Sequence, residues 1–338
     1  MREAPRGRRP AWPRRPASLC LAAAALAALA GCVALSVALA PAPIVIATGE
    51  PGGIYHPLGN AICRLVNLAE TEATGPCRAV ASEGSLANLQ LLRSGGADLA
   101  LAQSDVADAA FRGEGPFASA APDASLRILI ALHAESFTVL ARPDSGIREF
   151  QDLRGRRVGL GTTGAGHAVT RDLVLGQFGW TISDFDRLLE LGPAEQNRTL
   201  CGGGVDAIVL LAGHPDGLTQ EATTACGARL VRVSGPPVDR LLAAQRSFFR
   251  SVIPGGLYAG APQDVPTFGT RALLLASARL PDEAAYGLTK AVLENFEDFR
   301  LLHPALFALK PESLVPTGVV VPVHPGAQRY YHEAHPGR

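Results

Sequence analysis

Residues 44–105 constrain the fold most, because a short apolar run, a loop and a helical pattern follow one another there three times. Each apolar run is bounded by turn-forming residues, as buried strands are, and the runs span residues 44–47, 78–81 and 99–102. Pro57 and Ser85 favour helix starts after the first two loops, since proline suits the first helical turn and serine can cap it. The pattern predicts an α/β fold in which strand ends lead into helix N-termini.

Polar side chains are expected near these strand ends. In open α/β sheets, ligands lie beyond the carboxyl ends of the strands. Helix N-termini there offer unpaired N–H groups and a partial positive charge, which suit an anion. Each loop taken alone is also compatible with a simple turn, but three in series favour a ligand site. The side chains expected to bind the ligand from this edge are Tyr55, Ser85, Asn88 and Gln103.

A second Gly-rich loop follows the apolar run at residues 157–161. Residues 159–164 match the dinucleotide pattern G-x-G-x-x-G, but Asp184 and Asp186 fall in a polar turn rather than after a second strand. No Lys-Ser/Thr pair follows the glycines, so the loop is not a P-loop. We interpret it as a backbone anion-binding nest that needs no nucleotide or other cofactor. The residues expected to contact the ligand from this loop are Gly161, Thr163, Gly164, Gly166 and His167.

Residues 126–141 contain two apolar runs with a polar break between them. The runs cover residues 126–132 and 137–141, and His133, Glu135 and Ser136 occupy the break. This arrangement predicts two adjoining strands that carry the chain from one domain to a second.

The N-terminal segment, residues 1–42, has the features of an export leader. Six arginines within the first fifteen residues precede an apolar run over residues 17–40. Three endings stay open: a lipobox at residues 29–32 with Cys32 as the lipidated residue, cleavage after residues 38–40, or an uncleaved membrane anchor. All three place the body of the protein in the periplasm or another extracytoplasmic compartment, and the first and third tether it to the membrane.

The body keeps four cysteines after the leader, and an even number in an exported protein suggests disulfides. Sequence alone permits three pairings. We predict the local pairing, because each pair then lies within one apparent βα unit. A metal site is the competing interpretation, but no pair has CxxC spacing and no histidine stands at ligand spacing beside one. The predicted disulfides are Cys63–Cys77 and Cys201–Cys226.

Charge and motif content argue against several other functions. The 31 basic and 31 acidic residues balance, so nothing indicates a nucleic-acid surface. The sequence has no Gly-x-Ser-x-Gly elbow and no His-Glu-x-x-His motif. The cleft loops supply few carboxylates for acid–base chemistry beyond Glu50, Glu83 and Asp105. No catalytic residue and no metal site is expected.

Several motifs together resemble one family. They are TGEPGGIYHPLG at residues 48–59, EGSLANLQLLRSGGAD at 83–98, AQSD at 102–105, GHP at 213–215, QEATT at 220–224, IPGGLY at 253–258, ENFEDFR at 294–300 and PVHPGA at 322–327. The combination resembles the TAXI family, the extracytoplasmic solute-binding subunits of one class of TRAP transporters. Nearly everything after the leader is covered. One departure concerns the second Gly-rich loop, where this chain has Ala-Gly-His in place of the usual Ser-Gly-Thr, which exchanges a hydroxyl donor for the imidazole of His167.

The resemblance implies a two-lobed periplasmic-binding-protein fold of the type II kind, with a hinge between the lobes. Lobe I is expected at residues 43–137 with 268–335, and lobe II at residues 138–267. The expected function is capture of a small carboxylate, such as glutamate or a related dicarboxylate, for TRAP membrane permease subunits. Tyr258, in the IPGGLY motif, joins the expected ligand-binding residues. A solute sensor or surface antigen of the same fold is the first alternative, and an enzyme on this fold is the second.

Overall fold

The computed structural model describes residues 42–69, 74–161, 166–317 and 319–334. Its strands are β1 (Ile44–Ala47), β2 (Cys77–Val80), β3 (Leu99–Gln103), β4 (Leu126–Ala141), β5 (Arg157–Leu160), β6 (Arg187–Glu190), β7 (Ala207–Ala212), β8 (Arg229–Val231), β9 (Phe249–Ile253) and β10 (Val265–Ser277). Its α-helices are α1 (Tyr55–Ala69), α2 (Ser85–Ser94), α3 (Ser104–Arg112), α4 (His167–Phe178), α5 (Pro193–Cys201), α6 (Gly217–Ala225), α7 (Pro236–Ala244), α8 (Asp282–Glu294), α9 (Phe296–Leu301) and α10 (Pro325–Ala334).

The strands form one mixed sheet in the order β2-β1-β3-β10-β4-β7-β5-β6, with β8 paired to β4 and β9 paired to β10. Strand β1 runs parallel to β2 and β3, and β5 runs parallel to β6 and β7. Strands β4 and β10 pair antiparallel with each other in the middle. The two parallel groups therefore lie on opposite sides of a central antiparallel pair, as two lobes joined by two long strands.

Helices cover both faces of each parallel group, which explains why the inner strands β1, β3 and β7 are apolar except for Gln103 at the end of β3. In the first group, Leu58 of α1 and Leu288 of α8 pack on one face, and Leu92 of α2 packs on the other. In the second group, Val174 of α4 packs on one face and Leu200 of α5 on the other. We call these groups with their helices lobe I (α1–α3 and α8–α10) and lobe II (α4–α7). The residue boundaries expected between the lobes stay a prediction.

Strand β4 corrects one expectation. Leu126–Ala141 is a single strand of 16 residues, not two strands with a break. The polar residues His133, Glu135 and Ser136 lie inside it and are buried. Their backbone stays paired because β10 lies alongside, with Thr270 opposite Glu135. Polar side chains in mid-strand thus mark the crossing between the lobes rather than a loop.

Both expected disulfides are present. The Cys63–Cys77 bond ties α1 to the start of β2, and the Cys201–Cys226 bond ties the end of α5 to the end of α6. The expectations for residues 1–41, including Cys32, lie outside the described residues. None of the helices in the described ranges combines the length and apolar composition that crossing a membrane requires.

Candidate functional site

A cleft of about 420 Å³ lies between the two lobes. Lobe I contributes the loop from Gly49 to Ile54 and the start of α2, while lobe II contributes the end of β7 and the starts of α4, α5 and α6. The volume suits a small molecule, since ligand sites commonly measure about 300–1,000 Å³. Much of the wall is apolar, with Ile54, Leu210, Leu211 and Leu218 among the lining residues.

Five helices begin at residues that line this cleft. Their first residues are Tyr55 (α1), Ser85 (α2), His167 (α4), Pro193 (α5) and Gly217 (α6). The first turn of a helix has N–H groups without intrahelical partners and carries a partial positive charge. The N-terminus of α6 is already occupied, because the carboxylate of Asp216 accepts hydrogen bonds from the N–H and hydroxyl of Thr219, at 2.7 and 2.6 Å. The others give the cleft a preference for an anionic group.

Glu135 is the most unusual residue in the cleft wall. Its carboxyl is 3% exposed and accepts a hydrogen bond from the hydroxyl of Tyr55 across 2.9 Å. Burial raises the pKa of Glu135 to about 8, and the Tyr55 hydrogen bond offsets only part of this increase. The carboxyl is therefore mostly protonated at pH 7 while the cleft is empty. Sequence reasoning missed it by treating residues 133–136 as a connection.

Three histidines lie at or near the wall. Burial lowers the pKa of His133 to about 3 and that of His167 to about 4, and it also lowers the pKa of His303. His167 and His303 line the cleft, whereas His133 lies behind it, with Nε2 3.8 Å from Glu135 Oε1. All three rings are neutral at pH 7, so they can offer hydrogen bonds but no charge.

Two glycines make room for these rings. A Cβ at Gly213 would lie 2.5 Å from Cδ2 of His133, and a Cβ at Gly161 would collide with the His167 ring. Both glycines are at the carboxyl ends of strands, where the chain turns past the cleft. Their lack of a side chain lets the neutral imidazoles pack close to the backbone.

No lysine or arginine occurs among the described residues that line the cleft. The acidic lining residues are Glu50, Glu83, Glu135 and Asp216. Two glutamines add neutral polar groups, Gln103 and Gln196, each with a buried side-chain oxygen that has no hydrogen-bond partner among the described residues. No cluster of three or more metal-binding side chains was found in the described ranges.

Six of the ten side chains or glycines expected to bind ligand line the cleft. These are Tyr55, Ser85, Gln103, Gly161, Gly166 and His167. Thr163 and Gly164 lie outside the described residues. Residues that line the cleft but were not expected include Glu135, Gln196, Asp216 and His303. The first of these carried a detectable signal, because a glutamate within an otherwise apolar run breaks the strand pattern, and such breaks occur at functional sites.

Asn88 and Tyr258 were also expected to bind the ligand, but they are not among the residues that line the cleft. The amide of Asn88 is fully buried and bonds the carbonyls of Thr48 and Leu101, so it ties the residue after β1 to the middle of β3. The hydroxyl of Tyr258 lies 2.6 Å from His214 Nδ1 and accepts a hydrogen bond from the N–H of Asp216. The polar atoms of both side chains hydrogen-bond to other parts of the protein and so help to fix the segments around the cleft.

Gly166 lines the cleft and also permits a contact between two helices. A Cβ there would collide with the side chain of Gln103 and lie 2.8 Å from Val106 Cγ2. Thr170, one turn further along α4, donates a hydrogen bond to the buried carboxylate of Asp105 across 2.5 Å. Helices α3 and α4 thus meet at one end of the cleft, and Gly166 permits that contact.

Comparison with known proteins identifies a family and several structures with a similar fold. The profile of a family described as NMT1-like matches residues 46–334. A structure from Bordetella bronchiseptica RB50 is similar with a TM-score of 0.55 and 15% identity, covering 87% of this chain and 98% of that one. At such identities the likeness establishes the fold.

Two further structures of this fold hold small ligands. MatC from Rhodopseudomonas palustris, with bound malate, has a TM-score of 0.54 and 16% identity, covering 79% of this chain and 89% of that one. PhnD1 from Prochlorococcus marinus, in complex with methylphosphonate, has a TM-score of 0.53 and 11% identity, covering 79% and 90%.

Proposed function

The chain belongs to the NMT1-like family, and from that premise we propose that it is the extracytoplasmic solute-binding subunit of a TRAP-type transporter of the TAXI class. It captures a small carboxylate, such as glutamate or a related dicarboxylate, and delivers it to membrane permease subunits. The leader-like N-terminal segment supports an extracytoplasmic location. The motifs at residues 48–59, 83–98 and 253–258 support the TAXI class.

The observation that carries this proposal is the convergence of helix N-termini on a cleft between two lobes. N–H groups and partial positive charges in such a place bind a carboxylate without any cationic side chain. The malate and methylphosphonate held by structures of the same fold are small anions too. Closure of the lobes around the solute is the motion that this architecture supports.

A thermal-shift screen of amino acids and dicarboxylates tests the proposal. A ligand at 100 times its Kd stabilises the folded protein by about 2.7 kcal/mol, which raises the melting temperature measurably. Mass spectrometry of the recovered solute separates binding from catalysis, since a transport subunit returns it unchanged. If only cations or uncharged solutes raise the melting temperature, or the solute is converted, the proposal is wrong.

A blocking variant locates the binding in the cleft. Gly217 lines the cleft, and a Cβ there meets no atom within 4 Å, so Gly217→Trp adds bulk without a clash at Cβ. Gly176 on α4 is equally open but does not line the cleft, which makes Gly176→Trp the matched control. We expect Gly217→Trp to lose the ligand-induced shift and Gly176→Trp to keep it.

A further inference from the structure

The wall of this small cleft offers binding groups of two kinds, some that favour a negative group on the solute and one that favours a positive group. The helix N-termini at Tyr55, Ser85 and His167 favour a negative group. The carboxyl of Glu135, in contrast, lines the same cleft and accepts a hydrogen bond across 2.9 Å from the side-chain hydroxyl of Tyr55, the first residue of α1. A solute that satisfies both carries a carboxylate and a positive group close together.

We propose that the solute is an α-amino acid whose ammonium group binds to Glu135 while its carboxylate binds at the helix N-termini. This inference rests on the proposed function and narrows it, because it selects amino acids over dicarboxylates that have no amine. Glu135 is then the residue that determines specificity.

The charge of the wall supports an ammonium group. No lysine or arginine among the described lining residues is available to hold a second carboxylate, and the acidic lining residues number four: Glu50, Glu83, Glu135 and Asp216. A dicarboxylate therefore brings two negative charges into a wall that already holds several. An ammonium group on the solute is attracted to the acidic wall instead of repelled. The attraction is strongest at Glu135, the most buried of these carboxyls, because the dielectric constant is low there.

A buried amide in the wall of the same cleft supplies a second acceptor. Gln196 is 2% exposed and lines the cleft. Its Nε2 donates to the carbonyl of Leu191 across 3.2 Å, which fixes the amide orientation and leaves Oε1 as the unpaired atom. A buried acceptor without a donor is costly, so a donor from the ligand at this atom would stabilise the complex. An ammonium group has three N–H donors, and a carboxylate has none.

Few other charges face Glu135. Tyr55 contacts it from α1, His133 lies beside it on β4, and Asp105 acts on it from α3. Across the strand pair, Thr270 of β10 is uncharged. His133 is neutral at pH 7 because burial lowers its pKa to about 3. None of these groups supplies the positive charge that an ionised Glu135 needs.

Binding therefore moves a proton. In the empty cleft at pH 7 the carboxyl of Glu135 holds its proton, since burial raises its pKa to about 8. When the ammonium group arrives, the carboxyl ionises to form the ion pair, and the proton goes to the buffer. Up to one proton is released per amino acid bound. A dicarboxylate without an amine, which needs a hydrogen-bond donor at this place, releases none.

Isothermal titration with matched solutes tests the inference. L-glutamate is compared with glutarate, and L-leucine with 4-methylpentanoate, so that each pair differs only in the amino group. Titration at pH 7 in phosphate and in Tris, whose ionisation enthalpies differ, counts the released protons. We expect the amino acid of at least one pair to bind at least about tenfold more tightly than its partner, with proton release close to one.

Glu135→Gln keeps the shape of the protonated side chain and removes its ability to ionise. Loss of a buried charge partner predicts about a thirtyfold or larger drop in affinity for that amino acid. Glu312→Gln, the same change at an exposed position that does not line the cleft, is the matched control and should change affinity by less than about fivefold. If Glu135→Gln does not fold, the comparison of matched solutes on the parent protein still tests the ammonium site.

The outcomes separate the two proposals. If glutarate or 4-methylpentanoate binds as tightly as its amino acid, or Glu135→Gln binds the amino acid like the parent, the ammonium site is wrong and the carboxylate-binding function stands. If neither these four solutes nor any other small anion in the thermal-shift screen binds, the proposed function fails and the inference fails with it.

Discussion

Glu135 is expected to affect both the specificity of the cleft and the pH dependence of the protein's stability. Its carboxyl is buried beside Tyr55, and the single hydrogen bond from that hydroxyl does not replace the lost hydration. The folded protein consequently favours the protonated carboxyl, whose pKa burial raises to about 8. An unfolded chain loses the same proton near the ordinary carboxyl pKa.

This difference predicts a pH dependence of stability. The folded pKa is above the unfolded one, so between about pH 4.5 and pH 8 the unfolded state binds fewer protons than the folded state. The free energy of unfolding should therefore fall as pH rises through this window, on account of Glu135. Glu135→Gln removes the contribution, so its stability relative to the parent should increase from pH 5 to pH 8.

Urea unfolding at pH 5, 6.5 and 8 measures this difference. Asp105, whose pKa burial raises to about 6, contributes a dependence of the same sign but is present in both proteins and cancels. Glu83→Gln, at an exposed position, should follow the parent at every pH. A constant offset between Glu135→Gln and the parent across the three pH values would contradict the buried, protonated carboxyl.

Gly166 makes a second prediction at the scale of one residue. A methyl group there collides with Gln103 and crowds Val106, so Gly166→Ala should destabilise the protein by about 1–3 kcal/mol. Gly176→Ala in the same helix is the control, because its Cβ meets nothing and alanine favours the helix by up to about 1 kcal/mol. Chemical denaturation of both variants measures the contrast, and equal shifts would show that α3 and α4 do not meet at Gly166.

At the scale of elements, the strongest sequence predictions concern the short parallel strands. Residues 44–47 and 99–102 are apolar throughout, since helices cover both faces of their sheet. Strand β4 is different, because its mid-strand polar residues resemble a loop in sequence, and pairing with β7 at Ser136 and with β10 keeps them extended. Local pattern could not reveal that partner, which lies more than 120 residues further along the chain.

The disulfides give a prediction at the same scale. Cys63 and Cys77 are buried, whereas Cys201 is exposed and Cys226 half-buried. Mild reductant should therefore open the Cys201–Cys226 bond first, and alkylation followed by mass spectrometry identifies the labelled thiols. Replacing both cysteines of that bond by alanine should cost about 2–4 kcal/mol of stability. Earlier labelling of Cys63 and Cys77 would contradict the burial of α1 against β2.

At the scale of the whole molecule, the site is assembled from segments far apart in sequence. The repeated strand–loop–helix pattern was enough to predict Tyr55, Ser85 and Gln103 at one edge of the cleft. Asp216 and His303 could not be predicted, because the crossing of two long strands brings their segments to the cleft. Asn88 and Tyr258 were predicted to bind the ligand but do not line the cleft, because polar residues near strand ends can also serve to fix the loops.

A co-crystal structure tests the central claim, that one small solute is held between both lobes. The protein is purified without refolding and crystallised with the solute that gives the largest thermal shift. The account predicts electron density in the cleft, with hydrogen bonds of about 3 Å to the N-termini of α1 or α2 in lobe I and to lobe II residues at the starts of α4 or α5. Density bound to one lobe alone, or outside this cleft, would contradict it.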